Sequence, residues 1–364
     1  MGFDRVRCAL PCRVSGEVES AVEGFASVVD EMRHSFGFPL RVAVHSDVGR
    51  VRTNNEDSHG HAWLDDGSLF VMVADGMGGH EAGEVASGLA VQVLEDVVAR
   101  DVDADPRERL YNGLLESNEA ILEEGRASGT KGMGTTAIAA ICKGPEIHVG
   151  LVGDSRLYQI RRGQLVWRTL DHTRVQMLLD QGEIDDDQAR QHPESGMLTR
   201  ALGHSRMADG RPLVPDVLAE PLEIELRDTI VMCSDGLHDL LEDWEIGQLV
   251  AGREPGEAAK ELVELACERG GHDNITVAVV TAGECASDFD PEYVPETYLY
   301  EDTQDAPEAP PAEVTYEELP PVEDGDGGNK MMVMGIGAAV ALVLMLALAT
   351  AAIASVLGFF IFLG

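Results

Sequence analysis

The sequence predicts an α+β protein in which antiparallel sheets lie under helices, with acidic side chains gathered where strands end. Three observations carry this expectation. First, apolar runs of strand length end or begin in aspartate at Leu69-Phe-Val-Met-Val-Ala-Asp75-Gly, Thr229-Ile-Val-Met-Cys-Ser-Asp235-Gly and Asp273-Asn-Ile-Thr-Val-Ala-Val-Val280. Apolar runs bounded by glycine read as buried strands. Second, residues 81–100 and 106–122 carry apolar side chains at helical spacing. Third, the order is strands, two long helices, a run of strands, two helices and a final strand. It does not alternate strand and helix, which argues against a doubly wound sheet.

Along the chain, residues 1–40 are weakly patterned. Val18, Val22, Phe25, Val28, Val29 and Met32 have the spacing of a short amphipathic helix. It either packs on the domain or is an extension outside it. Arg41–Ser46 opens the folded domain as a strand, and Leu69–Ala74 is the next. Glu81–Arg100 places Val85, Leu89, Val93 and Val97 beside Ala86, Ala90, Leu94 and Val98, a helix with a wide apolar face. Pro106, a favourable first helical residue, starts the second helix. Met133–Cys142, Glu146–Gly153, Leu157–Arg161 and Leu165–Arg168 read as successive strands. Thr173 to about Arg190 reads as a polar helix and Gln191–Pro215 as irregular, together a surface flap. Ile224–Ser234 is a strand pair or a bent strand, Asp243–Ala251 and Pro255–Arg269 are helices, and Asp273–Thr281 is the last strand.

Composition narrows the function. A formal net charge of −38 over 364 residues argues against nucleic acid and against anionic lipid headgroups, both of which select basic surface. It serves solubility or the choice of cationic partners. The six cysteines include a Cys8-x3-Cys12 pair with no second pair and no zinc-spaced histidines, the usage of a reducing compartment. No signal peptide is read at the start. Residues 283–330 carry many acids and seven prolines, with no Lys or Arg before Lys330, which predicts a disordered, self-repelling linker. Residues 331–364 carry no charge, and 331–363 are read as a single transmembrane helix, a C-terminal anchor. As one helix this segment would be ~51 Å long and would tilt or project. Lys330 as the flanking cation places the large domain in the cytoplasm.

The aspartates suggest the chemistry. Carboxylates without imidazoles or thiolates at ligand spacing select hard cations, Mg²⁺ or Mn²⁺. A bridging carboxylate can hold two such ions ~3.5–4 Å apart, which suits in-line displacement at phosphorus. The segment Val48–Ser58 adds Arg52, whose planar fork suits a phosphate, and the adjacent acids Glu56 and Asp57, which can orient water. His148–Asp154 is another strand ending in an aspartate.

The chain resembles the metal-dependent protein serine/threonine phosphatases of type 2C in their bacterial form. The resemblance rests on Ser46–Ser58, Ala74-Asp-Gly-Met-Gly-Gly-His80 with Ala82-Gly-Glu84, Gly132-Met-Gly-Thr-Thr136, Gly150–Arg156, Asp171-His-Thr173, Leu198-Thr-Arg-Ala-Leu-Gly203, Cys233-Ser-Asp-Gly-Leu237 and Asp273-Asn-Ile-Thr276. These occur in family order over residues 41–282. The resemblance implies a β-sandwich of two mainly antiparallel sheets flanked by helices on both sides (α-β-β-α), with the metal site at one end. It implies two Mn²⁺ or Mg²⁺ ions: Asp75 bridging both, Asp235 and Asp273 on the first, and the Gly76 carbonyl on the second. Glu56 and Asp57 would act through water and Arg52 would hold the phosphate. Asp154 would bind a third ion, sharing Asp235. Asn274 would be structural around Asp273, and the flap from Arg174 to about Leu198 would touch substrate. Met77 stands where some members carry a histidine proposed to protonate the leaving alkoxide, so the general acid is unassigned. His45, His59, His61, His172 and His204 are expected on the surface or in loops.

Two function classes follow. One is a membrane-tethered phosphatase acting on phosphoserine and phosphothreonine in cytoplasmic proteins, opposing serine/threonine kinases or acting on a factor in a partner-switching circuit. The other is an inactive phosphopeptide-binding adaptor on the same scaffold. Retention of Asp75, Asp235, Asp273 and Arg52 disfavours the adaptor.

Overall fold

The computed structural model describes residues 30–32, 38–78, 82–130, 132–185, 188–189, 192–283 and 298–299. The expected anchor 331–363, nearly all of the expected linker 283–330 and the expected helix before Asp30 lie outside the described residues. Among the described residues, no helix is long and apolar enough to cross a membrane.

In chain order the elements begin with β1 (Asp30–Met32), β2 (Leu40–Asp47), β3 (Asp57–Trp63), β4 (Leu69–Met77), α1 (Ala82–Arg100) and α2 (Pro106–Ser128). Five strands follow: β5 (Gly134–Thr135), β6 (Ala137–Lys143), β7 (Glu146–Val152), β8 (Arg156–Arg161) and β9 (Gln164–Arg168). The remainder comprises α3 (Arg174–Asp180), β10 (Asp216–Val217), β11 (Leu222–Glu223), β12 (Thr229–Cys233), α4 (Asp235–His238), α5 (Asp243–Val250), α6 (Pro255–Glu268), β13 (Ile275–Ala282) and β14 (Tyr298–Leu299). One sheet has the order β1-β2-β13-β12-β8-β9-β14; the other runs β10-β7-β6-β4-β3, with β11 also on β7 and β5 on β4. Every pairing is antiparallel except β14 on β9.

Side-chain alternation builds four layers. Leu69, Val71 and Val73 of β4 meet Val42, Val44, Met232, Ala278 and Val280 between the sheets. Phe70, Met72 and Ala74, the alternate residues of β4, pack instead on Ala86, Ala90 and Leu94 of α1 and on Leu110 and Leu114 of α2. Val231, Cys233, Val277 and Val279 turn away from the centre of the sandwich onto Ile246 of α5 and Leu262, Val263 and Ala266 of α6. Central strands are thus covered on both faces. This is why they read as unbroken apolar runs despite being antiparallel, and each fully buried Leu, Val or Phe contributes about 1.5–3 kcal/mol. α2 is bounded by its own sequence: the Asp105 side chain accepts from the Arg107 N–H, Pro106 opens the helix, and Gly129 closes it at φ +74°.

The structure departs from the sequence expectations at edges and surfaces. Asp30–Met32 is a strand paired with β2 where the apolar spacing suggested a helix; an open sheet edge recruits adjacent chain. Tyr298–Leu299, within the expected disordered linker, pairs with the edge strand β9. The flap helix stops at Asp180, just before Gly182 at φ +67°, well short of the expected Arg190. Val85 is exposed, so the apolar face of α1 is narrower than its spacing suggested. Ile224–Ser234 is neither a strand pair nor a bent strand: only Thr229–Cys233 within it is strand, β11 ends at Glu223, and the chain between them turns at Arg227, with φ +77°. β3 is an unanticipated edge strand, polar and half-buried, and it sets Asp57 directly opposite Asp75.

Candidate active site

The acids are brought together by strand ends at one end of the sandwich. Asp75 lies near the end of β4, Asp57 opens β3 beside it, and Asp235 follows β12 at the start of α4. Asp154 follows β7, and Asp273 precedes β13.

Both Asp-Gly dipeptides are there for close backbone approach. A Cβ on Gly76 would lie 2.2 Å from the Gly83 carbonyl oxygen, and one on Gly236 would lie 2.0 Å from the Asn274 carbonyl oxygen. The second contact locks the α4 start onto the loop carrying Asp273. Asn274 completes the lock: its amide donates to the Val48 and Asn54 carbonyls at 3.0 and 2.9 Å, and its side-chain oxygen accepts the Glu56 N–H at 2.8 Å.

Hydroxyls hold the acids in place. Thr136 Oγ1 accepts the Asp75 N–H at 2.9 Å and sits 2.7 Å from Ser155 Oγ, while Thr135 Oγ1 donates to the Asp75 carbonyl at 2.8 Å. Ser234 Oγ donates to Asp57 Oδ2 at 2.8 Å and accepts the Thr276 N–H at 3.0 Å. Thr135, Thr136, Ser155, Ser234 and Thr276 lie in the same short motifs as the acids, yet nothing local in the sequence assigns these hydroxyls a role. Their partners are distant in the chain.

Behind Asp154, Arg156 forks onto Asp171 at 2.8 and 2.6 Å and holds that carboxyl down at about 2 against the effect of burial. The His238 ring, unassigned from sequence, faces the Asp154 carbonyl through Nε2 at 3.0 Å. Burial and the nearby Arg156 keep it neutral, its pKa lowered to about 4. His172 lies in a loop, as expected, but it is buried. Its backbone N–H donates to the Gly153 carbonyl at 2.9 Å, and its Nδ1 accepts the Gly153 N–H at 3.1 Å. The ring therefore fixes the turn before Asp154. A cavity of about 440 Å³ opens on the flap side, lined by His172, Arg174, Met177, Met197, Arg200 and Asp216.

The electrostatics mark the cluster. Burial, then Asp235, Asp57 and Asp154, push the Asp75 carboxyl well above its usual range. Burial, then Asp154, Asp239 and Asp273, do the same to Asp235. Asp154 is raised to about 7 by burial and Asp171, and Asp57 to about 6 by burial, against the hydrogen bonds from Thr276 and Ser234. Burial also raises Glu56. Asp273 lies at the rim, where Arg52 Nη2 donates to its Oδ2 at 2.7 Å.

This donor set fits hard divalent cations. Asp57 Oδ1 and Asp235 Oδ1 are buried without a hydrogen-bond partner, and the mutual repulsion of the acids is what a cation would relieve. The carboxylates are gathered without closing on a common point: among the described residues, no three acidic, histidine or cysteine side chains already stand in an ion-holding arrangement.

A two-sheet sandwich under helices with acids at its strand ends is shared with a known class. Residues 48–263 match the protein phosphatase 2C family. The chain is 37% identical over 241 residues to the serine/threonine protein phosphatase PstP of Mycobacterium tuberculosis (strain ATCC 25618 / H37Rv), covering 66% of this chain and 44% of PstP. It is 36% identical over 241 residues to the serine/threonine phosphatase stp of Listeria monocytogenes serotype 4b, covering 65% of this chain and 93% of that one. The crystal structure of M. tuberculosis PstP/Ppp superposes with a TM-score of 0.60 at 36% identity, over 67% of this chain and 99% of that one. The PstP catalytic domain in complex with two manganese ions does so at 0.58 and 35% identity, over 67% of this chain and 99% of that one. This chain belongs to the protein phosphatase 2C family. It spans less than half the length of the M. tuberculosis relatives.

Proposed function

We propose that this chain hydrolyses phosphoserine and phosphothreonine in proteins with the help of two Mn²⁺ or Mg²⁺ ions. The observation that carries the proposal is the meeting of Asp75, Asp57, Asp154 and Asp235 at one end of the sandwich, with buried carboxylate oxygens left unpartnered. Asp75, Asp235, Asp273 and the Gly76 carbonyl would hold the two ions, and Asp154 with Asp235 a third. Bound there, the ions supply Lewis-acid charge at the phosphorus centre and lower the pKa of water.

The chain's own residues do the rest. Arg52, half-exposed at the rim, offers a planar fork to the substrate phosphate. Glu56 and Asp57 orient water, with Asp57 held by Ser234 so that its free Oδ1 accepts. The P–O ester bond breaks, a P–O bond to water forms, and inorganic phosphate and the Ser or Thr alcohol leave. The catalytic unit is residues 41–282, with an N-terminal extension 1–40 and an acidic linker 283–330. Residues 331–363 tether it to the membrane, facing the cytoplasm, where serine/threonine kinases are its natural opponents. The carrying support for the tether is the charge-free tail.

Hydrolysis of a phosphothreonine peptide by the full chain tests the activity. Turnover should require Mn²⁺ or Mg²⁺ and should be lost in Asp235→Asn. Binding of the peptide without turnover under either ion would instead establish the adaptor. Deletion of 331–364 should move the protein to the soluble fraction, and retention in the membrane fraction would refute the tether.

A further inference from the structure

Arg52 has two partners open to it. In this structure its Nη2 donates to Asp273 Oδ2 at 2.7 Å, while Asp273 Oδ1 accepts the Asn274 N–H at 2.8 Å. Both oxygens of a carboxylate assigned to a cation are therefore engaged. The guanidinium assigned to the phosphate is engaged with one of them. An N–H that serves a carboxylate is not available to fork onto a phosphate.

The backbone around this pair is held independently. Asn274 ties Val48, Asn54 and Glu56 together, the Arg50 N–H donates to the Gly271 carbonyl at 2.7 Å, and the Asn54 amide donates to Glu84 Oε2 at 3.1 Å. The two side chains, by contrast, are 48% and 27% exposed. Either can turn without unpacking the core, so the freedom at this corner lies in the side chains and not in the loop.

Building on the cation-binding reading above, we propose that Arg52 is a displaceable counterion for Asp273. Without a divalent cation it holds that carboxylate. Cation binding takes Asp273 and releases the guanidinium to the phosphate. Arg52 thus competes with the cation and then serves the substrate, and by linkage whatever draws Arg52 away from Asp273 must tighten the cation.

The test is Mn²⁺ binding to the full chain by titration calorimetry, in wild type, Arg52→Gln, Arg50→Gln and Asp235→Asn. Arg50 is exposed two residues away, beside the same Gly271 turn, so Arg50→Gln removes the same charge without the Asp273 contact. Arg52→Gln should bind Mn²⁺ about three- to fivefold more tightly than Arg50→Gln, the effect of one partly exposed ion pair. Equal affinities in the two variants would overturn the proposal and leave the carboxylate assignment standing. Wild type binding Mn²⁺ no better than Asp235→Asn would overturn the assignment and the proposal with it.

Discussion

With cations chelated, replacing Asp154 by asparagine should stabilise the protein, and increasingly so as the pH rises. Asp154 is buried at 6% exposure, and burial with Asp171 nearby raises its carboxyl from 3.8 to about 7. A raised carboxyl contributes its full stability below the unfolded value, and that contribution is lost as the pH rises through the folded one. The window is therefore pH 4 to 7, with the folded state binding the extra proton. At about 1.4 kcal/mol per unit, ionisation costs the wild type about 2 kcal/mol at pH 5 and about 4 kcal/mol at pH 8. The advantage of Asp154→Asn should thus grow by about 2–3 kcal/mol between those pH values, or about 5–10 °C in Tm. The comparison with wild type cancels the buried histidines, such as His238, whose lowered pKa values act in the opposite sense. The assay is thermal unfolding followed by circular dichroism in EDTA at pH 5, 6, 7 and 8. An advantage that is constant or shrinks with pH would refute the electrostatic account of the cluster. With Mn²⁺ at 100 times its Kd, wild type should regain about 2.7 kcal/mol at pH 8.

Three further outcomes follow from the packing. Gly236→Ala puts a methyl 2.0 Å from the Asn274 carbonyl and should cost about 1–3 kcal/mol in denaturant unfolding, with Mn²⁺ affinity falling as the Asp273 loop shifts. Thr136→Val keeps the shape but leaves the Asp75 N–H without its acceptor; it should cost about 1–3 kcal/mol and lower kcat for the phosphothreonine peptide. Val85→Lys, on the exposed side of α1, should change stability by less than about 0.5 kcal/mol, whereas a larger loss would restore the wider apolar face read from spacing.

What the sequence revealed and what it hid have physical causes. Leu69–Ala74 was plain because both faces of β4 are buried, so every residue carries the signal. β3 was hidden because Asp57-Ser-His-Gly-His-Ala-Trp63 is half-exposed and has no apolar alternation; it is a strand because β4 offers an edge. β1 and β14 likewise depend on neighbouring edges that no local pattern announces. The flap helix ends at Asp180 although its polar periodicity continues, because Gly182 at φ +67° breaks it; residues 188–189 are helical again. Asp75, Asp154, Asp235 and Asp273 stood out as strand-end acids, and their assembly follows from strand order. Arg52 against Asp273 spans 221 residues, and the hydroxyls of Thr136 and Ser234 find partners across 61 and 177 residues. Such pairings are visible only once the sheets are assembled.

The proposed binding of divalent cations by the strand-end carboxylates is tested most directly by the rate of phosphothreonine-peptide hydrolysis by the full chain as Mn²⁺ is titrated from an EDTA-treated start, in wild type and in Asp75→Asn. Turnover should be absent without cation, wild type should show saturable activation, and Asp75→Asn should lose at least about 100-fold at every Mn²⁺ concentration. Hydrolysis that proceeds in EDTA, or an Asp75→Asn variant that saturates at the wild-type rate, would contradict this binding.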